Sequence, residues 1–122
     1  MKVLVCGNRH WDNINSIMSE LEILTFTDGD NFLITGGCSG ADYMAECITR
    51  NTDLSDFWTI KVFHADWDKH GKSAGPIRNR EMLDMEPDIV LAFHGDLSKS
   101  KGTKDCVFEA NRRGIRVVLI PE

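Results

Sequence analysis

Short apolar runs alternate along this chain with longer segments whose apolar positions fall three and four residues apart. Residues 2–6, Lys2-Val3-Leu4-Val5-Cys6, have strand character. Residues 14–25 place Ile14, Ile17, Met18, Leu21 and Leu24 on one face of a helix. Thr27-Asp28-Gly29-Asp30 has turn chemistry, and residues 32–35 form a second apolar run. A helix over 40–50 then carries Ala41, Met44, Ala45 and Ile48 on one side. Trp58 to Phe63 predicts a third strand, and His64 to Gly75 shows no period and is expected to be a long loop. Residues 77–85 suggest a helix ended by Pro87, and 88–93 a fourth strand. A helix over 103–113, closed by Gly114, and a strand over 115–120 complete the series.

Strands joined by helical crossovers are parallel, and the crossovers are right-handed. The expected architecture is therefore a Rossmann-like, three-layer α/β/α fold with a parallel sheet of about five strands in the order 3-2-1-4-5. The sequence has 122 residues, shows no repeat or linker, and is read as one domain over 1–122. Chemistry in such a fold gathers at the carboxyl ends of the strands. Three of those ends here carry glycine and polar groups. The first is Gly7-Asn8-Arg9, the second Thr35-Gly36-Gly37-Cys38-Ser39-Gly40-Ala41-Asp42, and the third His94-Gly95-Asp96 followed by Gly102-Thr103. A strand, a glycine turn and a helix start present backbone N–H groups that suit a phosphate.

Composition narrows the picture. No run approaches the roughly 20 apolar residues that span a bilayer. The apolar part of the N-terminus is too short for a signal peptide, so a soluble, cytoplasmic protein without a membrane partner is expected. Cys6, Cys38, Cys47 and Cys106 show no CxxC and are read as reduced, small packing residues. A formal net charge of −5 argues against a protein that coats nucleic acid, but leaves room for a local basic pocket. His10, His64, His70 and His94 share no metal-ligand spacing, so neither a metal nor another cofactor is expected. The three histidines near strand ends are expected at the rim of the site. No lysine follows the glycine turn in the Walker manner, which disfavours ordinary ATP hydrolysis.

The segment His64 to Arg80 is the unusual one, mixing aromatic, basic and amide groups. Trp67 suits stacking on a base. Arg78 suits a phosphate or carboxylate, and Asn79 a sugar or amide edge. Asp42 and Glu46 lie one helical turn apart, as acid/base partners or as a solvated face. Arg112, Arg113 and Arg116 read as partners of a helix C-terminal dipole.

Taken in order, Gly7-Asn8-Arg9 with Trp11, Gly36-Gly37-Cys38-Ser39-Gly40-Ala41-Asp42, Ala65-Asp66-Trp67, His70 to Asn79, Asp88 to Phe93, and Lys101-Gly102-Thr103 resemble the YspA branch of the SLOG superfamily. The likeness covers nearly the whole chain. It implies a Rossmann-like fold shared with LOG-type phosphoribohydrolases, which release a base from a nucleoside monophosphate. It also implies kinship with DprA, which binds single-stranded DNA, and with sensor domains for nucleotide-derived ligands. Gly36, Gly37, Gly40 and Asp42 are similar to the phosphate loop. Gly102-Thr103 looks like the GT of the PGGxGTxxE motif, with Asp105 where an acid stands, and Arg78-Asn79 resembles the catalytic arginine region in placement. Two departures weigh towards binding rather than hydrolysis: the longer loop from His94 to Lys101 replaces a tight turn, and Asp105 is shorter than glutamate.

The expected function is therefore binding of a nucleotide or nucleotide-derived small molecule. Gly7, Asn8, Arg9, Gly36, Gly37, Ser39, Gly40, Asp42, Trp67, Asn79, Gly102 and Thr103 are its binding residues. The alternative is an N-glycoside hydrolase. Asp105 or Glu109 would then serve the anomeric carbon or its water, and Arg78 would hold the phosphate. Single-stranded DNA binding ranks third, because the chain is acidic and lacks a basic stripe. A homodimer is expected, with Met82, Leu83 and Met85 as a candidate partner face or, equally, as core residues. Gly40→Asp is expected to abolish binding while the fold survives.

Overall fold

The computed structural model describes residues 1–27 and 29–121. Five strands form one parallel sheet in the order β3-β2-β1-β4-β5. They are β1 (Lys2–Gly7), β2 (Asn31–Thr35), β3 (Trp58–Val62), β4 (Ile89–Phe93) and β5 (Arg116–Ile120). Helices α1 (Ile14–Thr25) and α2 (Ala41–Asn51) follow β1 and β2. After β3 come a single turn, α3 (Trp67–His70), and then α4 (Ala74–Asp84). Helix α5 (Gly102–Arg112) joins β4 to β5. The expected turn at Thr27–Asp30 includes Asp28, which lies outside the described residues.

Strand alternation divides the core into two layers. Val3 and Val5 of β1, Leu33 of β2, and Ile89, Leu91 and Phe93 of β4 meet Ile17 and Leu21 of α1 and Ala41, Ala45 and Ile48 of α2. Leu4, Cys6, Ile34, Val90 and Ala92 face the other way, towards Met82 and Leu83 of α4 and Cys106 and Ala110 of α5. Every residue of β4 is buried, which is why it reads as an unbroken apolar run rather than an alternating one. Helices thus cover both faces, and the chain changes face between α2 and α4. That change leaves β1 and β4 as neighbours at the switch point, where an open parallel sheet has its crevice.

One expectation is corrected here and one open alternative is decided. The segment 64–75 is not a featureless loop. Asp66 caps α3 by accepting the Lys69 N–H at 3.1 Å, a 3₁₀ turn covers Gly71–Ser73, and α4 begins at Ala74. One isolated turn is too short to show a period, and Pro76 is tolerated in the first turn of α4, where its missing N–H has no helical partner to lose. Met82 and Leu83 are 2% and 1% exposed, so they belong to the core and not to a partner face. No described helix is long and apolar enough to cross a membrane.

Candidate functional site

The carboxyl ends of β1, β2 and β4 are tied together by Asn8. Its N–H donates to the Phe93 carbonyl at 2.8 Å, and its own carbonyl accepts from Trp11 N–H at 3.0 Å and Ala41 N–H at 3.2 Å. Its Oδ1 accepts the His10 N–H at 2.9 Å. Gly7, just before it, has no room for a Cβ, which would lie 2.5 Å from the Phe93 carbonyl oxygen and 2.9 Å from Ala41 Cβ. The β1 end therefore serves first as a junction. Arg9 is exposed, and its carbonyl accepts from the Ser39 hydroxyl at 3.2 Å.

The glycine turn is packed against the protein itself. A Cβ at Gly36 would collide with the Arg78 guanidinium, and one at Gly37 would lie 2.7 Å from the His64 ring. Gly40 has φ +77° and ψ −126°, backbone that is essentially reserved for glycine. A Cβ there would overlap the Asn8 carbonyl oxygen and sit 2.5 Å from the Arg9 carbonyl carbon. These glycines admit neighbouring segments of this chain rather than an approaching anion. The expectation that Gly40→Asp spares the fold is corrected accordingly, since its Cβ strikes backbone.

Asp42 completes the turn. It is 5% exposed, and its Oδ2 accepts the N–H groups of Gly36 at 3.1 Å and Cys38 at 3.3 Å. Two donors expected to face a phosphate are thus already used. Among the described residues, the N–H groups of Ser39, Gly40, Asp42 and Tyr43 at the start of α2 have no protein acceptor. Burial pushes the Asp42 carboxyl up to about 6, against the Cys38 N–H, the Arg78 charge and the Gly36 N–H. Against an ordinary aspartate value of 3.8, that rise corresponds to about 3 kcal/mol. Below pH 3.8 the group is protonated in both the folded and unfolded states. As pH rises towards 6 the unfolded chain ionises first, so folding loses this amount by neutral pH. Urea denaturation of wild type and Asp42→Asn between pH 4 and 7 checks it. Wild type should lose stability relative to the variant as pH rises, and a constant difference would contradict the assignment.

Arg78 and Asn79, in the second turn of α4, connect this turn to the start of α5. Arg78 is 9% exposed; its Nη1 donates to the Gly36 carbonyl at 2.8 Å and its Nε to Asn79 Oδ1 at 3.1 Å. Asn79 Nδ2 in turn donates to Asp105 Oδ2 at 3.0 Å and to the Gly102 carbonyl at 3.2 Å. Gly36, Asp42, Arg78, Asn79, Gly102 and Asp105 thus share one polar network across α2, α4 and α5. Among the described residues no carboxylate forms an ion pair with Arg78. Thr103 is buried, with its N–H on Ser100 Oγ at 3.0 Å, whereas a Cβ at Gly102 would meet open space.

Two expected residues stand apart. Glu109 lies one helical turn beyond Asp105 and is held by Arg112, at 2.5 and 2.9 Å, and by Arg113 Nε at 3.1 Å. These guanidinium groups, Arg112 first, hold its carboxyl down at about 2, and Arg113 continues to Asp84 at the end of α4. Glu109 is therefore a brace between α4 and α5 rather than a free carboxylate beside Arg78. Trp67 is 59% exposed at the start of α3, and its ring lies over Gly75, with Cη2 3.5 Å from the Cβ position there.

Beside the network, a cleft of about 490 Å³ opens over the ends of β1 and β4, lined by Asn8, His10, His94, Gly95, Asp96 and Lys99. Only Asn8 of these was among the expected binding residues. His10 and His94 fall among the strand-end histidines expected at the rim, and the signal for Gly95, Asp96 and Lys99 was the polar run after β4, with Asp96 two residues before Ser98 in the manner of an Asx turn.

This geometry, a switch-point crevice flanked by a glycine turn and a polar helix start, belongs to the Rossmann-like class of α/β folds. The model of the YspA, cpYpsA-related SLOG family matches residues 1–70, which include the junction at Gly7-Asn8-Arg9 and the glycine turn. Over 119 residues the chain is 34% identical to the Gene 61 protein of Mycobacterium phage D29, covering 96% of this chain and 94% of that relative. No solved structure matches. The chain belongs to the YspA, cpYpsA-related SLOG family.

Proposed function

We propose that this protein binds a nucleotide or nucleotide-derived small molecule, with its phosphate against Arg78 and the starts of α2 and α5. The observation that carries the reading is the buried Arg78 guanidinium without an ion-pair partner among the described residues. A buried charge is costly unless an opposite charge meets it, and the planar guanidinium fork suits two oxygens of a phosphate. The unpartnered N–H groups of Ser39, Gly40, Asp42 and Tyr43 and the open space at Gly102 support the same placement. Family membership supports a nucleotide-type ligand.

Hydrolysis of an N-glycosidic bond would require a carboxylate free to face the anomeric carbon. Glu109 is closed off by two arginines, which leaves Asp105, whose Oδ2 is engaged by Asn79. Binding without turnover is accordingly the stronger reading. Thermal-shift titration against a panel of nucleoside 5′-phosphates, with chromatography of the same mixtures, tests both halves. Stabilisation without released base is the expected result; release of free base would replace binder with enzyme, and no stabilisation by any member would remove the proposal.

A further inference from the structure

His94 is 8% exposed and lines the cleft over β1 and β4. Its Nδ1 accepts the Asp96 N–H at 3.0 Å. In the neutral ring the remaining hydrogen is therefore on Nε2, and that N–H has no protein acceptor among the described residues. A buried imidazole thus keeps one fixed donor in reserve. The next residues of the loop add complementary groups. Asp96 Oδ1 is taken by the Ser98 N–H at 3.0 Å and hydroxyl at 2.6 Å, which hold the carboxyl below its usual range. The hydrogen bonds to this carboxyl from described residues both end on Oδ1, which leaves Oδ2 without a protein donor among them. Lys99 forms no ion pair among them either.

The cleft therefore combines donors that can only donate with a carboxylate oxygen that can only accept. That mixture suits a neutral group carrying both acceptors and hydrogens, and it disfavours a second phosphate, which would meet Asp96. A volume of about 490 Å³ is within the range of small-molecule sites and far exceeds the needs of one phosphate. Asn8 belongs to this cleft and also anchors the start of α2, so the cleft adjoins the proposed phosphate position.

We propose that this cleft receives the base of the ligand, with His94 Nε2–H and Lys99 donating to it and Asp96 Oδ2 accepting from it. The inference rests on the phosphate reading above and adds the specificity element to it. The loop from His94 to Lys101, a departure from the tight turn of the hydrolase motif, is then the part that selects the base.

Calorimetry with a purine nucleoside 5′-monophosphate and with ribose 5-phosphate separates the two claims. His94→Asn places an amide oxygen where Nδ1 accepts from Asp96 but removes Nε2–H; Lys99→Met removes an exposed ammonium. Each should weaken the nucleoside monophosphate about tenfold, the loss of one hydrogen bond, and leave ribose 5-phosphate unchanged. Arg78→Ala should weaken both ligands. Equal losses for both ligands in the loop variants, or no loss for either, would overturn the inference while the phosphate reading stands. If wild type binds neither compound, both fall. Melting temperatures of the free variants guard against a folding defect, and the surface variant Lys99→Met decides should His94→Asn prove unstable.

Discussion

Gly40→Ala should destabilise the protein by at least about 3 kcal/mol, the combined cost of a glycine-only backbone conformation and of forcing a methyl group into backbone. The methyl would overlap the Asn8 carbonyl oxygen and press on Arg9, so the ends of β1 and β2 cannot keep their approach. Because Asn8 also accepts the Ala41 N–H and donates to Phe93, the displacement would spread to α2 and β4. Gly114→Ala is the matched control. Gly114 has φ +76°, but a Cβ there meets nothing within 4 Å. Only the conformational part remains, of roughly 1–2 kcal/mol. Chemical denaturation of the two variants reads the difference, and equal losses would mean that the junction is looser than its contacts indicate.

Arg78→Ala carries the second large effect, on binding. Loss of a charge-assisted contact to phosphate is worth about 1.5–3 kcal/mol, or roughly 10- to 150-fold in affinity. The substitution also strips a donor from the Gly36 carbonyl and from Asn79 Oδ1, so the free protein should soften around the glycine turn. Arg78→Lys keeps the charge without the fork that spans both acceptors, and should recover only part of the affinity. Titration of all three proteins with one nucleoside 5′-phosphate checks the order wild type, lysine, alanine. Equal affinities would move the phosphate elsewhere.

The fold was readable because its determinants are local or periodic. The unbroken run Ile89–Phe93 marked a strand buried on both faces, and the alternation of strands and helices fixed parallel pairing and the order 3-2-1-4-5. Single turns such as Trp67–His70 escaped because four residues carry no period. Among the candidate residues, spatial grouping was partly readable and individual roles were not. Arg78, Asn79, Asp105 and Gly36 do share a network, yet the contact between Arg78 and Gly36 joins residues 42 apart in sequence. No spacing rule reveals such a contact. For the same reason Asp42 could not be seen to consume two N–H groups, nor Glu109 to be claimed by Arg112 and Arg113. His94 was visible as a histidine near a strand end, but its reserved Nε2–H follows only from the Asp96 N–H placed against Nδ1.

The central claim is that an anion meets Arg78 between the starts of α2 and α5. Nuclear magnetic resonance of ¹⁵N-labelled protein titrated with a nucleoside 5′-monophosphate tests it most directly, because the guanidinium Nε–H and the backbone N–H groups report separately. The account predicts saturable shifts of the Arg78 Nε–H, of the N–H groups from Ser39 to Tyr43, and of Gly102 to Lys104. Shifts that leave the Arg78 Nε–H unmoved while others saturate would contradict it.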